Sequence, residues 1–168
     1  MALARTELLV RLRGIRLLAL DVDGVLTDGR ILIAADGQES KQFHVRDGLG
    51  LRTVMDQGIE VAILSGRRAP VVEHRMRELG ITRLQQGVAD KGAALRELAA
   101  TLGLQTGAVA FVGDDLIDLP AMACAGLGIA VQDAEPAVLE AADWVTERRG
   151  GLGAVREVCD LLLAAGAR

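Results

Sequence analysis

Asp21 and Asp23 are the residues of this sequence best placed to do chemistry. They stand in Asp21-Val22-Asp23-Gly24-Val25-Leu26-Thr27, directly after Ile15-Arg16-Leu17-Leu18-Ala19-Leu20, a run that reads as a buried β-strand. Alternation along an extended chain puts both carboxylates on one side and Val22 on the other. Two like charges this close repel, and a cation between them relieves the repulsion. A carboxylate can attack phosphorus, and a neighbouring carboxyl can protonate the leaving alkoxide and then activate water. The pattern therefore predicts magnesium-dependent phosphoryl transfer, with Asp21 as nucleophile and Asp23 as acid/base.

Gly113-Asp114-Asp115-Leu116-Ile117-Asp118 offers the remaining hard oxygens. Magnesium favours an octahedron of oxygens supplied by one or two carboxylates, waters and substrate phosphate. Asp114 with Asp21 meets that need, helped by the backbone carbonyl of Asp23; Asp115 and Asp118 are expected just behind the metal. Helix capping by Asp114 or Asp115 is the alternative, and the two roles can coexist. Ser65-Gly66-Arg67 brings a hydroxyl and backbone donors to a phosphoryl oxygen, although serine before glycine is most often a turn. Lys91 supplies positive charge for the transferred group, its alternative being a solvated first-turn lysine.

These residues need elements that bring them to one place, and the chain alternates strand and helix. Strands are expected at Glu60–Leu64, Arg83–Gln86, Ala108–Val112, Leu127–Val131 and Trp144–Thr146. Helices are expected at Gly48–Gly58, Ala69–Leu79, Lys91–Leu102, Leu119–Ala125, Pro136–Ala142 and about Val155–Leu163. Gly29–Ala34 and Gln38–Phe43 flank an Asp36-Gly37 pair, the signal of a β-hairpin, and this hairpin can project over the site. Apolar strands alternating with helices predict an α/β fold of three layers, Rossmann-like, with a central parallel sheet. Asp21, Ser65 and Asp114 each fall just past a buried strand and Lys91 at a strand-to-helix connection, on the edge where such sheets bind ligands.

Bulk composition fits one domain over residues 1–168. Hydrophobic residues make up 51% and aromatics 2%, so an aliphatic core is expected and base stacking as a mode of binding is not. A net charge of −4 argues against a nucleic-acid partner. Cys124 and Cys159 have no ligand or redox spacing and read as buried hydrophobes. The basic N-terminus runs into the acidic motif rather than a cleavage site, and no apolar stretch approaches a membrane span. A cytoplasmic protein is expected.

In order and spacing, Asp21-Val22-Asp23-Gly24, Ser65, Lys91 and Gly113-Asp114-Asp115 with Asp118 resemble the four motifs of the haloacid dehalogenase superfamily. The stretches DVDGVLTDG, FHVRDGLG, VAILSGR, ELGI, QGVADK, VAFVGDDLIDLPAM and GGLGAVREVCDLLL look like the 3-deoxy-D-manno-octulosonate 8-phosphate phosphatases within it. That resemblance implies no cap domain, a homotetramer, and a hairpin over about residues 30–43 that joins between subunits. It also implies that His44, Arg46, Asp47, Gly48, Arg52, Arg67 and Arg75, with Asp23 and Lys91, help hold a sugar-acid phosphate. Such a substrate carries a carboxylate as well as a phosphate, which suits arginines. A plain surface role for Arg75 is the alternative. Family members often continue past the last helix with a tail that can reach a neighbouring site; this sequence stops at Arg168, which leaves that role open here. The leading Met1–Arg13 matches nothing in the pattern.

The resemblance implies hydrolysis of an eight-carbon sugar-acid phosphate on the way to lipopolysaccharide. Three alternatives stay open on sequence: a phosphatase for nine-carbon sialic-acid-type 9-phosphates, a phospho-acceptor switch, and a scaffold that only oligomerises. Receiver-type switches place adjacent acidic residues on the first strand and the phosphorylated aspartate on the third, the reverse of the order here.

Overall fold

The computed structural model describes residues 5–166. Residues 1–4 and 167–168 lie outside the described residues, and with them the start of the Met1–Arg13 stretch. The rest of that stretch is a helix, α1 (Arg5–Arg13), which sequence periodicity had not marked. It packs Leu8 and Leu12 into the core.

Six strands form one parallel sheet: β1 (Leu17–Leu20), β4 (Glu60–Ser65), β5 (Arg83–Gln86), β6 (Val109–Gly113), β7 (Leu127–Ala130) and β8 (Trp144–Val145). Their order is β5-β4-β1-β6-β7-β8. All four residues of β1 are buried, because helices cover both faces of the sheet. On one side lie α1, α2 (Val45–Asp56), α3 (Pro70–Leu79) and α7 (Ala154–Ala165); on the other lie α4 (Lys91–Thr101), α5 (Leu119–Cys124) and α6 (Pro136–Ala141). The core is aliphatic, with Phe111 on β6 the largest apolar side chain fully enclosed.

The central strand decides where the site falls. β1 pairs β4 on one side and β6 on the other, Leu20 opposite Ile63 and Val112. The chain leaves toward β4 and β5, then returns across β1 to β6, β7 and β8. The crevice beyond the C-terminal end of β1 is therefore the switch point of the sheet.

Two expectations need correcting. The hairpin is paired only over β2 (Leu32–Ile33) and β3 (Glu39–Ser40), far less than the predicted runs. Its tip is tied by Asp36 Oδ1, which accepts from the Gln38 N–H at 3.0 Å, with Gly37 at φ +83°. Leu32 and Ile33 are exposed, and toward the tip the Ala34 N–H still donates to Gln38 O at 2.9 Å. The second helix, for its part, starts at Val45 rather than Gly48. His44 caps it, its Nδ1 accepting from the Arg46 N–H at 3.2 Å. Gly48 and Gly50 are interior helical residues serving close approach. A Cβ on Gly48 would lie 2.9 Å from Leu79 Cδ2, and one on Gly50 3.1 Å from Cys159 Cβ.

Candidate active site

Asp21 follows β1, and its backbone N–H still donates to Val112 O on β6 at 3.1 Å. The chain then turns, Val22 sinking into the core while Asp21 and Asp23 face one cleft. Buried Thr27 ties this turn together: its Oγ1 accepts from the Gly29 N–H and donates to Val22 O. Gly24 is required twice over. Its φ is +95°, and a Cβ there would sit 1.9 Å from Asp114 Oδ2.

Lys91 opens α4, whose N-cap Asp90 accepts from the Ala93 N–H at 2.9 Å. Its side chain is buried rather than solvated, with Nζ 2.8 Å from Asp21 Oδ1 and 2.6 Å from Asp118 Oδ1. The other oxygen of Asp118 accepts from the N–H groups of Asp114 and Asp115, at 3.0 and 3.2 Å. Asp118 thus fixes both the lysine and the acidic turn after β6. Gly113 makes room, since a Cβ there would lie 2.5 Å from Asp118 Cβ. Asp115 caps the short turn that follows, its Oδ1 accepting from the Leu116 N–H at 2.6 Å.

Carboxylate oxygens of Asp21, Asp114 and Asp118 lie within 4.8 Å of one another. One lysine cannot balance three such charges. Burial, opposed by Lys91 and reinforced by Asp118, pushes the Asp21 carboxyl above its ordinary range. Burial, then the charges of Asp21, Asp118 and Asp115, drives Asp114 up to about 8. Burial works to lower the Lys91 ammonium, but Asp21 and Asp118 hold it above the ordinary lysine value. Asp114 Oδ1 is buried without a hydrogen-bond partner. An orphaned carboxylate oxygen beside two further carboxylates fits a divalent cation.

That geometry sets a pH dependence. Metal-free and folded, Asp114 keeps its proton from about pH 4 to about pH 8; unfolded, it has lost it above its ordinary value of 3.8. The native state then binds more protons across this window, so stability falls as pH rises through it. A divalent cation held by Asp114 would select the ionised form and reverse the loss. Asp114→Asn is expected to melt about 4–8 °C above the metal-free parent at pH 8, the equivalent of about 2 kcal/mol at this length. It is also expected to respond little to magnesium. Scanning calorimetry at pH 5 and pH 8, with and without the ion, checks both points; identical curves for parent and variant would contradict them.

The cleft, of about 440 Å³, is lined by Asp21, Asp23, Ser65, Gly66, Arg67, Val88, Ala89, Asp115 and Ile117. Ser65 ends β4, and its Oγ accepts from the Arg67 N–H at 3.3 Å. Asp23 stands apart from the three-carboxylate cluster, and its carboxylate pairs with Lys41 and faces Arg67. A larger groove between α1 and α7 is lined by Leu8, Leu9, Trp144 and Leu161. Two of its three acids are engaged elsewhere, Glu157 with the Glu147 and Arg148 N–H groups and Asp160 with Arg156.

Within one chain His44, Arg46, Asp47, Gly48, Arg52 and Arg75 do not line this cleft. Asp47 is buried and caps α7 from α2, its Oδ1 accepting from the Arg156 N–H at 2.8 Å; the cap residue of α7 itself, Gly153, has no side chain to do so. Arg75 pairs with Glu78 at 2.8 Å and lies over the Phe43 ring, while Arg52 donates to the Glu78 carbonyl. Arg75 also crowds Gly48, where a Cβ would meet its Nη2 at 2.6 Å. Sequence reasoning missed Lys41, Glu39 and the Gly150-Gly151 pair. A Cβ on Gly150 would lie 1.6 Å from Gly24 O, so these glycines let the loop before α7 press against the Asp21–Gly24 turn. Two adjacent glycines are the only signal that pointed to it.

The haloacid dehalogenase-like hydrolase family matches residues 82–156, the segment that carries Lys91, Asp114 and Asp118. Fold and site together define a hydrolase of that class. The 3-deoxy-D-manno-octulosonate 8-phosphate phosphatase KdsC of Yersinia pestis is 53% identical over 159 residues, 95% of this chain and 85% of the relative. Its crystal structure superposes with a TM-score of 0.92, covering 94% of this chain and 85% of that one. The Moraxella catarrhalis phosphatase, solved with a magnesium ion, a phosphate ion and KDO, is 43% identical with a TM-score of 0.95, covering 96% of this chain and 93% of that one. The chain belongs to the 3-deoxy-D-manno-octulosonate 8-phosphate phosphatase family.

Proposed function

We propose that the protein is a magnesium-dependent phosphatase converting 3-deoxy-D-manno-octulosonate 8-phosphate to KDO and inorganic phosphate. The observation that carries this reading is Asp21 itself: a buried carboxylate opening on the cleft, held by Lys91 within the three-acid cluster. Asp21 and Asp114, with the Asp23 carbonyl, would hold the metal, with Asp115 and Asp118 behind them. When bound, magnesium neutralises these acids and stabilises charge on the phosphoryl oxygens.

Asp21 attacks phosphorus as the bond to the sugar oxygen breaks, and that oxygen takes a proton from the Asp23 carboxyl. Asp23, now a carboxylate, takes a proton from water as the water oxygen attacks phosphorus. The Asp21–phosphorus bond breaks, phosphate leaves, and both acids return to their starting states. Lys91, the Ser65 hydroxyl and the amides after it stabilise the transferring group.

The test is phosphate release, with magnesium, from the eight-carbon acid 8-phosphate, a sialic-acid 9-phosphate and hexose phosphates. Preference for the eight-carbon acid is expected. Preference for the nine-carbon acid would keep the mechanism and change the substrate, and no release from any ester would overturn the reading.

The reading extends to a single-domain homotetramer in the cytoplasm, feeding lipopolysaccharide synthesis. Exposed apolar side chains support the assembly: Leu32 and Ile33 on the hairpin are 70% and 65% exposed, and Val45 at the start of α2 is 80% exposed. Docking of copies through this face would also give His44, Arg46, Arg52 and Arg75 a route to a neighbouring cleft. Among the described residues no helix is long and apolar enough to cross a membrane. Leu32→Asp with Ile33→Asp is expected to reduce the particle to smaller species by light scattering. An unchanged tetramer would remove the hairpin from the interface.

A further inference from the structure

Asp23 must aim its carboxyl at the ester oxygen, and nothing in the mechanism above says what aims it. The side chain of Lys41, just past β3 on the hairpin, is 0% exposed, and its Nζ contacts Asp23 Oδ1. The same ammonium lies 2.8 Å from Glu39 Oε1, at an angle that leaves this oxygen without a formal hydrogen bond. Glu39 Oε2 accepts from Arg67 Nη2 at 3.0 Å, and Arg67 Nε stands 3.8 Å from Asp23 Oδ2. The four side chains close a ring, with Lys41 against Oδ1 of Asp23 and Arg67 facing its Oδ2. Burying an ammonium is costly unless it is paired, so Lys41 sits where it does because both carboxylates are there. Anchoring the hairpin alone would need only an apolar side chain at this position.

We propose that Lys41 is a positioning residue for phosphoryl transfer. Reaching in from the hairpin, it fixes the Asp23 carboxyl toward the leaving oxygen, and Glu39 holds the lysine in place. Proton delivery then requires a seated hairpin. Lys41 gains and loses no proton: the proton passes from Asp23 to the leaving oxygen as the phosphorus–oxygen bond breaks, and Asp23 recovers one from water in the second step. The inference rests on the phosphatase reading above.

Lys41→Met, Lys41→Gln and Lys41→Arg are compared with the parent in single-turnover reactions on two esters. One is the eight-carbon acid 8-phosphate, whose alkoxide needs a proton to leave; the other is p-nitrophenyl phosphate, whose phenolate does not. Lys41→Met is expected to lose about 100-fold in rate on the alkyl ester, the scale of general-acid assistance, and far less on the aryl ester. Lys41→Arg should recover part of the alkyl rate, and KM should change little. Lys41→Gln keeps a polar side chain without the charge and is judged by the same split if the Met variant does not fold. Equal losses on both esters, or a loss confined to KM, would overturn the proposal. If the parent hydrolyses neither ester, the phosphatase reading fails. A crystal structure of the variant then decides the positioning role by itself, since Asp23 turned from the cleft supports it and Asp23 unmoved overturns it.

Discussion

Asp21→Asn is expected to lower turnover by about four to six orders of magnitude, the scale seen when a covalent nucleophile is removed. The amide keeps the size of the carboxyl but is a poor nucleophile toward phosphorus, and it takes a charge from the metal. The fold should survive unharmed. Burial already pushes the Asp21 carboxyl toward its neutral form, so removing the charge relieves a strain in the metal-free protein. The contact of Lys91 with Asp118, 2.6 Å in the parent, is expected to persist in the variant. The expected signature is therefore dead enzyme with an unchanged or slightly raised melting temperature. Turnover within tenfold of the parent would take the nucleophile's role from Asp21.

Lys91→Met is expected to fail in the opposite way, losing stability as well as rate. Lys91 is the one ammonium in contact with both Asp21 and Asp118 among the described residues. Removing it leaves buried carboxylates unpaired, which costs about 3–5 kcal/mol in comparable broken pairs. It also removes a charge that, on the proposed mechanism, would face the phosphoryl group, worth roughly 100- to 1,000-fold in rate. Magnesium should rescue stability in part, because the cation meets the same excess of negative charge, but should not rescue the rate. Denaturant unfolding with and without magnesium separates the two effects. A variant as stable as the parent without metal would show that Lys91 is not what balances the cluster.

What the sequence made legible follows from where each residue sits. Asp21, Ser65 and Asp114 each close or follow a buried apolar strand, so the strand pattern carried them to one edge of the sheet. Lys91 was readable from Asp90, a strong N-cap, although its complete burial was not. Lys41 was hidden because it lies among exposed hairpin residues with no periodic pattern, and its partner Asp23 is 18 residues away. The start of α2 was misplaced because Gly48 and Gly50 look like helix breakers, whereas Arg75, Leu79, Arg156 and Cys159 crowd them from neighbouring helices. Asp47 enters the expected substrate-binding set through the resemblance alone. Its role as the cap of α7 joins positions 109 residues apart, a contact no local pattern announces.

On the proposed mechanism the phosphoryl group passes through an enzyme carboxylate before water receives it. The most direct test is the stereochemistry at phosphorus, using a chirally labelled thiophosphate ester in isotopically distinct water. Two successive in-line displacements, first by Asp21 and then by water, predict net retention of configuration. Net inversion would mean a single attack by water and would contradict the account.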